Sequence, residues 1–130
     1  MWLIIDPSTL NFLTLTLFGE SSSFSKVYPD SNREFLFSIE AFLTEHNLSP
    51  EDIFGVAVVV GAGGFTATRV ATITANLFKF VHQIPVVAIS SAESQDLSTI
   101  KAKFLTDSDH YILPTYSAPP TIFGQTSPVI

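Results

Sequence analysis

Residues 54–69 read FGVAVVVGAGGFTATR, and this segment carries the strongest structural signal in the chain. The apolar, largely β-branched run at 54–60 is typical of a strand that is buried on both faces. The glycines that follow permit positive φ angles and close backbone approach. A helix is predicted over residues 66–82, so its unpaired N–H groups and positive dipole end lie at the turn. Such a turn either holds a phosphate or packs the helix tightly against the strand.

The flanking sequence predicts further strands and helices in a fixed order. Residues 2–6, 10–18 and 22–28 are apolar or Thr-rich runs separated by turns, which indicates an antiparallel meander. A helix is predicted over residues 31–46, with one apolar stripe formed by Phe35, Ile39, Phe42 and Leu43. Residues 84–90 form the last clear strand, parallel to the one at 54–60 through a right-handed crossover. Short strands are also predicted at 101–105 and 110–113.

These elements predict an α/β fold with a mixed five-stranded sheet, strands 1–3 antiparallel and two strands parallel, with helices packed on it. The order is that of a single ribonuclease-H-like lobe, the half of an actin-like ATPase. We expect this lobe to span residues 1–113 and a Pro-rich tail to span residues 114–130.

Composition limits the classes of function. The net charge of −6 opposes autonomous binding to tRNA, and the six Lys and Arg residues form no basic cluster. The chain contains no Cys, which excludes thiolate chemistry and disulfides. The first residues lack a basic segment and a cleavage site, and no apolar run is long enough to cross a membrane. We therefore expect a cytoplasmic protein.

Four ordered segments resemble the TsaB family of tRNA threonylcarbamoyladenosine biosynthesis. GAGGFTATR (61–69) is similar to the family's GPGSFTGLR, and MWLIIDPST (1–9) to its opening strand, which ends in IDTS. LTEHNLSPEDI (43–53) resembles a helix end followed by GLSLSDL, and IPVVAISSAES (84–94) resembles IPLVGVSSLEA. The first long helix departs from the family, because SNREFLF stands at 31–37 in place of HSERLLP.

The resemblance also implies a shortened form that lacks most of the family's second lobe. Only about 35 residues follow the last of the four segments, and residues 112–120 are similar to the family's P-x-Y-L-R-x-P tail. An internal deletion that kept the tail would account for both observations.

The resemblance implies a non-catalytic scaffold that pairs with the transferase TsaD through the long helices of its first lobe, without a cofactor. A TsaE-like ATPase is expected in a larger complex, a homodimer competes with the heterodimer, and no direct tRNA contact or membrane contact is expected. Since Phe37 and Ala41 lie off the apolar stripe and the second helix is rich in small residues, the predicted partner contacts are Phe37, Ala41, Thr44, Ala67, Thr68, Ala71 and Thr72.

A second set of residues supports a competing hypothesis, a small phosphate- or nucleotide-binding enzyme. This set comprises Asp6, Gly61, Gly63, Gly64, Thr66 and Arg69. Asp6 ends the first strand, where open α/β sheets place ligand-binding groups, yet Asp-Pro also starts a turn. The acceptor of Arg69 is Asp6, a backbone carbonyl or a partner's carboxylate.

A third hypothesis is an orphan lobe that only homodimerises. His46, His82 and His110 have no metal-binding spacing.

Overall fold

The computed structural model describes residues 1–29, 35–61 and 65–106, and these form one mixed five-stranded sheet with helices on both faces. The sheet order is β3-β2-β1-β4-β5. Strands β1 to β3 form an antiparallel meander, and β4 pairs in parallel with β1 on one side and β5 on the other. The predicted α/β topology is thereby confirmed. The strands are β1 (Trp2–Asp6), β2 (Phe12–Phe18), β3 (Ser23–Pro29), β4 (Gly55–Val59) and β5 (Val86–Ile89).

Three helices cover the sheet in two layers: α1 (Phe35–Glu45), α2 (Phe65–His82) and α3 (Leu97–Thr106). Because side chains alternate along a strand, Leu3 and Ile5 of β1 pack into the core under α1 and α2, whereas Ile4 packs into a second core with Ile100 of α3. The predicted stripe of Phe35, Ile39, Phe42 and Leu43 is buried, as expected. No helix in the described ranges has the length and hydrophobicity that a membrane span requires.

The prediction of a strand at 101–105 is wrong, because these residues belong to helix α3. Leu97, Ile100 and Phe104 recur at helical spacing and pack against the second core. Asp96 precedes the helix, and its Oδ1 accepts a hydrogen bond from the backbone N–H of Thr99 at 3.2 Å, as an N-cap does. The predicted helix start at residue 31, the strand at 110–113 and the tail at 114–130 lie outside the described residues.

The contact between α3 and the sheet depends on Gly55, the first residue of β4. A Cβ built on Gly55 would lie 2.5 Å from Cε1 of Phe104 and within 3 Å of two more ring carbons. The absence of a side chain therefore allows the Phe104 ring to lie directly on the backbone. Gly19 is different, since the one close contact of a Cβ there would be the flexible end of Met1, with Sδ at 2.9 Å.

The loop between β5 and α3 is held by a reciprocal pair of hydrogen bonds. The backbone N–H of Ser90 donates to Glu93 Oε1 at 2.8 Å, and the N–H of Glu93 donates to Ser90 Oγ at 3.1 Å. Lys103 of α3 donates to both Glu93 and the carbonyl of Ala88, each at 3.1 Å. The backbone N–H of Ser90, and then Lys103, hold the pKa of Glu93 below its usual value. The loop thus ties α3 to the end of β5.

We predict that Gly55→Ala lowers the free energy of unfolding by about 1–3 kcal/mol, because the added methyl group displaces the Phe104 ring. Urea denaturation measures the change. Gly19→Ala is the matched control and should cost less, because the end of the Met1 side chain can move away. Adding Phe104→Leu should recover part of the loss. An equal loss with and without Phe104→Leu would contradict this explanation.

We predict that Glu93→Gln lowers the free energy of unfolding by about 1 kcal/mol at pH 7, since charged hydrogen bonds are lost at a partly exposed site. A carboxylate whose pKa is lowered by folding stabilises the protein above its unfolded pKa of about 4.5. That contribution disappears as the pH falls through the lower folded value. Denaturation curves at pH 7 and pH 3 should therefore differ less for the variant than for the wild type.

The control for this experiment is Glu20→Gln. Glu20 is almost fully exposed, and its ion pair with Lys101 is longer, at 3.6 Å. Exposed pairs of this kind contribute little to stability. Equal effects of the two substitutions at both pH values would show that Glu93 does not tie α3 to β5.

Candidate functional site

A groove of about 520 Å³ separates α1 from α2 on the side that faces away from the sheet. Leu36, Leu43 and Leu48 form one wall, and Leu77 and Val81 form part of the other. The floor consists of core residues that α1 and α2 share, since Ile39 and Phe78 are buried there. The groove is therefore an apolar surface feature built from the outer edges of two long helices.

The groove lies within a wider apolar surface, which we call the helical face. It consists of six exposed side chains on α1 and α2, namely Leu36, Phe37, Ile73, Leu77, Phe80 and Val81. Phe37 is 72% exposed and Phe80 is 68% exposed, so these rings are largely in water. A helix that covers one side of a sheet needs a single apolar stripe. The second apolar side on both helices marks a candidate interaction surface.

The predicted partner contacts divide into two groups in the structure. Phe37, Ala41 and Thr44 are exposed on α1, and Thr44 lines the groove. On α2, by contrast, Ala67 is half-buried, and the other three predicted residues are buried within the chain itself, namely Thr68, Ala71 and Thr72. The expectation that these three present a surface to a partner is therefore corrected.

The small residues of α2 serve the core, because they allow this helix to approach the sheet closely. Ala71 and Ala75 belong to the core cluster that contains Val56 and Val58 of β4. Thr72 Oγ1 donates to the carbonyl of Thr68 at 2.7 Å, which satisfies one buried hydroxyl group within the helix. A large residue at position 71 would disrupt the core rather than an interface. Sequence analysis missed the opposite side of α2, where Ile73, Leu77 and Phe80 recur at helical spacing.

The residues predicted to bind phosphate are only partly described, since Gly63 and Gly64 lie outside the described ranges. Asp6 Oδ1 accepts a hydrogen bond from the backbone N–H of Ser8 at 2.9 Å, which is an Asx turn. Gly61 has φ = +81°, a conformation that favours glycine. Thr66 and Arg69 are exposed on α2, and Arg69 makes no ion pair with Asp6.

Two of the three histidines lie against aromatic rings rather than at a metal centre. His46 packs on Phe24 and Phe42, with ring centroids at 4.7 and 5.0 Å. The ring of His82 lies 5.8 Å from that of Phe78. Within the described ranges, no three His, Asp or Glu residues are grouped so that they could hold a metal ion. His110 lies outside these ranges.

Comparison with known proteins identifies relatives of this fold. Two solved structures are similar to this chain. One is YeaZ from Pseudomonas aeruginosa, with 25% identity and a TM-score of 0.59. The other is the crystal structure of a protein described as similar to the peptidase YeaZ from Pseudomonas aeruginosa, with 24% identity and a TM-score of 0.60. They match 68% and 69% of this chain, which in turn spans only 42% and 44% of theirs. The expected ribonuclease-H-like fold is thereby confirmed. Comparison with curated proteins gives no match.

The family model for TsaD, described as tRNA N6-adenosine threonylcarbamoyltransferase, matches residues 29–108. This range contains α1, β4, α2, β5 and α3, and therefore includes the Gly-rich turn and the whole helical face. YeaZ is itself the TsaB protein, in agreement with the motifs at 1–9, 43–53, 61–69 and 84–94. Since the model covers more than half of the chain, the chain belongs to the TsaD family of tRNA N6-adenosine threonylcarbamoyltransferases, as a TsaB-like member.

Proposed function

We propose that this chain is a non-catalytic partner subunit of a TsaD-like threonylcarbamoyl transferase, and that the two proteins associate through the helical face. The observation that carries this proposal is the set of six exposed apolar side chains on α1 and α2. Family membership supports a role in tRNA threonylcarbamoyladenosine formation. A homodimer through the same face is the competing assembly, and a TsaE-like ATPase is a further component of the larger complex.

The chemistry of the helical face suits a protein partner. Its central residues are Phe, Leu, Ile and Val, and aromatic anchors in particular are enriched at interface centres. Polar groups surround them, because Glu40 and Thr44 line the groove and Arg69 is exposed on the first part of α2. An apolar centre with a polar rim is the usual anatomy of a specific interface.

The polar groups at the carboxyl ends of the strands support a structural rather than a catalytic role. Asp6 follows Ile5 at the end of β1 and closes an Asx turn with Ser8. Ser90 and Glu93 follow β5 and bond to each other, and Lys103 completes this network. Asp6, Ser90 and Glu93 are thus engaged in holding their own loops, which favours a structural role for them.

The charge of the chain supports an indirect relation to tRNA. A protein that binds nucleic acid neutralises phosphates with Lys and Arg, and this chain has six such residues against twelve acidic ones. At least three of the six already pair with carboxylates, namely Lys26 with Glu45, Lys101 with Glu20 and Lys103 with Glu93. In the proposed complex the partner subunit therefore supplies the contacts to tRNA.

We predict that Phe37→Asp or Phe80→Asp weakens binding to the TsaD-like protein of the same source at least about tenfold, the effect of losing one interface anchor. Both rings are largely exposed, so the fold should persist, which circular dichroism can check. Titration calorimetry gives the affinity, and light scattering after size exclusion gives the mass of the complex.

The matched control is Leu105→Asp, which replaces an apolar side chain that is 88% exposed on α3, on the other face of the sheet. It should leave the affinity unchanged. Equal affinities for Phe37→Asp, Phe80→Asp and Leu105→Asp would contradict the proposed function. A homodimer that does not bind the TsaD-like protein would also contradict it.

A further inference from the structure

Strand β3 forms one edge of the sheet, and its outer side pairs with no other strand in the described ranges. Six of its seven residues are exposed, and Tyr28 is half-buried. The backbone N–H and C=O groups on the free side of an edge strand are a template for pairing with another strand. The opposite edge of the sheet, β5, has only four residues, three of which are buried. The free edge of β3 is therefore the candidate for an interaction through the backbone.

The turn between β2 and β3 shows which backbone groups of β3 point outward. The N–H of Gly19 donates to the carbonyl of Ser22 at 2.9 Å. This pair continues the β2–β3 register, in which Phe18 lies opposite Ser23. Hydrogen-bonded and non-hydrogen-bonded pairs alternate along an antiparallel ladder. Every second residue of β3 therefore directs its backbone groups away from β2, namely Ser23, Ser25, Val27 and Pro29.

Two residues of β3 are of the kind that discourages edge pairing, but neither blocks the central part of the strand. Pro29 is the last residue of β3, and it lies at an outward position, where a missing N–H costs no bond to β2. The Lys26 side chain lies on the α1 side, where its Nζ donates to the two carboxylate oxygens of Glu45 at 3.2 and 3.3 Å. Over residues 23–27 the outward N–H and C=O groups are thus continuous.

The chemistry of this edge selects the kind of partner that fits it. Alternating donors and acceptors at this spacing are matched by another extended backbone, as in recognition by strand addition. A second copy of the chain provides such a backbone in its own β3. A two-fold arrangement then uses the same residues on both sides, which is the commonest symmetry of soluble homo-oligomers.

Charge and hydrogen bonding select the register of the two β3 strands. A two-fold axis at Lys26 places the two Lys26 side chains directly opposite each other, and like charges in this position are destabilising. An axis at Val27 places Pro29 opposite Ser25, so that one donor is missing from each copy. An axis at Ser25 pairs Ser23 with Val27 of the second copy, and each of the three residue pairs then exchanges two hydrogen bonds.

The register centred on Ser25 also provides a contact for an exposed aromatic ring. Phe24 is 44% exposed, and the centroid of its ring lies 4.7 Å from that of His46 on α1. In this register Phe24 lies opposite Lys26 of the second copy in a non-hydrogen-bonded pair, where side chains approach most closely. A Lys ammonium group is attracted to the face of an aromatic ring. The two-fold arrangement forms this contact twice.

We propose that two copies of this chain associate through β3 around a two-fold axis at Ser25, so that the two sheets become one continuous sheet. This interface is separate from the helical face, because Phe24, Lys26 and His46 are not among the residues that line the groove between α1 and α2. Each copy therefore keeps its helical face open for another protein. Association through β3 does not depend on the proposed function.

The absence of Cys from the chain allows a test with introduced thiols. Across the proposed axis the two residues at position 25 have Cα atoms about 5.5 Å apart, within the range of a disulfide, whereas those at position 27 are about 14 Å apart. Ser25→Cys should therefore form a disulfide-linked dimer at least about tenfold faster than Val27→Cys when copper phenanthroline oxidises the thiols. Gel electrophoresis without reductant measures both rates.

The matched control is Val27→Cys, which places an exposed thiol on the same strand. Adding Ser23→Cys to it should restore rapid cross-linking, because positions 23 and 27 lie opposite each other between the copies. Equal rates for Ser25→Cys and Val27→Cys would overturn the proposal. Loss of the Ser25→Cys cross-link when Phe80→Asp is added would also overturn it, because the copies would then associate through the helical face.

A variant without thiols tests the hydrogen bonds themselves. Val27→Pro removes an outward N–H group but no bond to β2, so it should raise the dissociation constant of the dimer at least about tenfold. Val27→Thr keeps the N–H group and the branched side chain, and it should leave the constant unchanged. Sedimentation equilibrium measures the constant, and circular dichroism checks the fold. If Val27→Pro does not fold, the thiol variants decide alone.

Two results of the sedimentation experiment would contradict association through β3. One is a wild-type chain that stays monomeric at every concentration. The other is a folded Val27→Pro variant whose dissociation constant equals that of the wild type.

Discussion

Strand β4 is buried on both faces, and its burial determines where the helices and the other strands pack. All five residues from Gly55 to Val59 are buried, between β1 and β5 within the sheet and between two helical layers across it. Val56 and Val58 supply the core under α1 and α2, whereas Ala57 and Val59 supply the core under α3. A polar residue in this strand would have no face on which to meet water. Helices must therefore cover both faces of the sheet. The second apolar sides of α1 and α2 point away from the core.

Much of this fold could be predicted from the sequence, because its strongest signals are local. The continuous apolar run of β4, the Gly-rich turn and the start of α2 follow each other without a gap, and the meander of β1 to β3 has clear turns. The stripe of Phe35, Ile39, Phe42 and Leu43 has helical spacing, and the structure buries it as expected. Helix α3 was harder to distinguish from a strand by sequence, because it is short. Its capping residue, Asp96, also lies before residues 101–105, where a strand was predicted.

The candidate site was harder to predict, because α2 is apolar on more than one side. Small residues that permit close approach to another helix permit equally close approach to a sheet, and composition alone does not tell which neighbour they meet. The structure shows that Ala71 and Thr72 are buried within the chain, which leaves Leu77 and Phe80 outward. On α1 a single apolar stripe decided the orientation, so Phe37 and Ala41 were placed correctly on the surface. For α2, the three-dimensional structure was required to show that the side with the larger apolar residues is the exposed one.

The register between β1 and β4 has a consequence for the order of folding. The meander joins neighbours in the chain, whereas Trp2 of β1 pairs with Gly55 of β4 across the whole meander and α1. Closing a loop of this length costs chain entropy before the parallel pairing repays it, so such contacts form late and slowly. Until β4 is in place, its valines and the apolar sides of both long helices remain in water. Misfolding during synthesis is therefore most probable before β4 pairs with β1, when the antiparallel strands β1 to β3 have already formed.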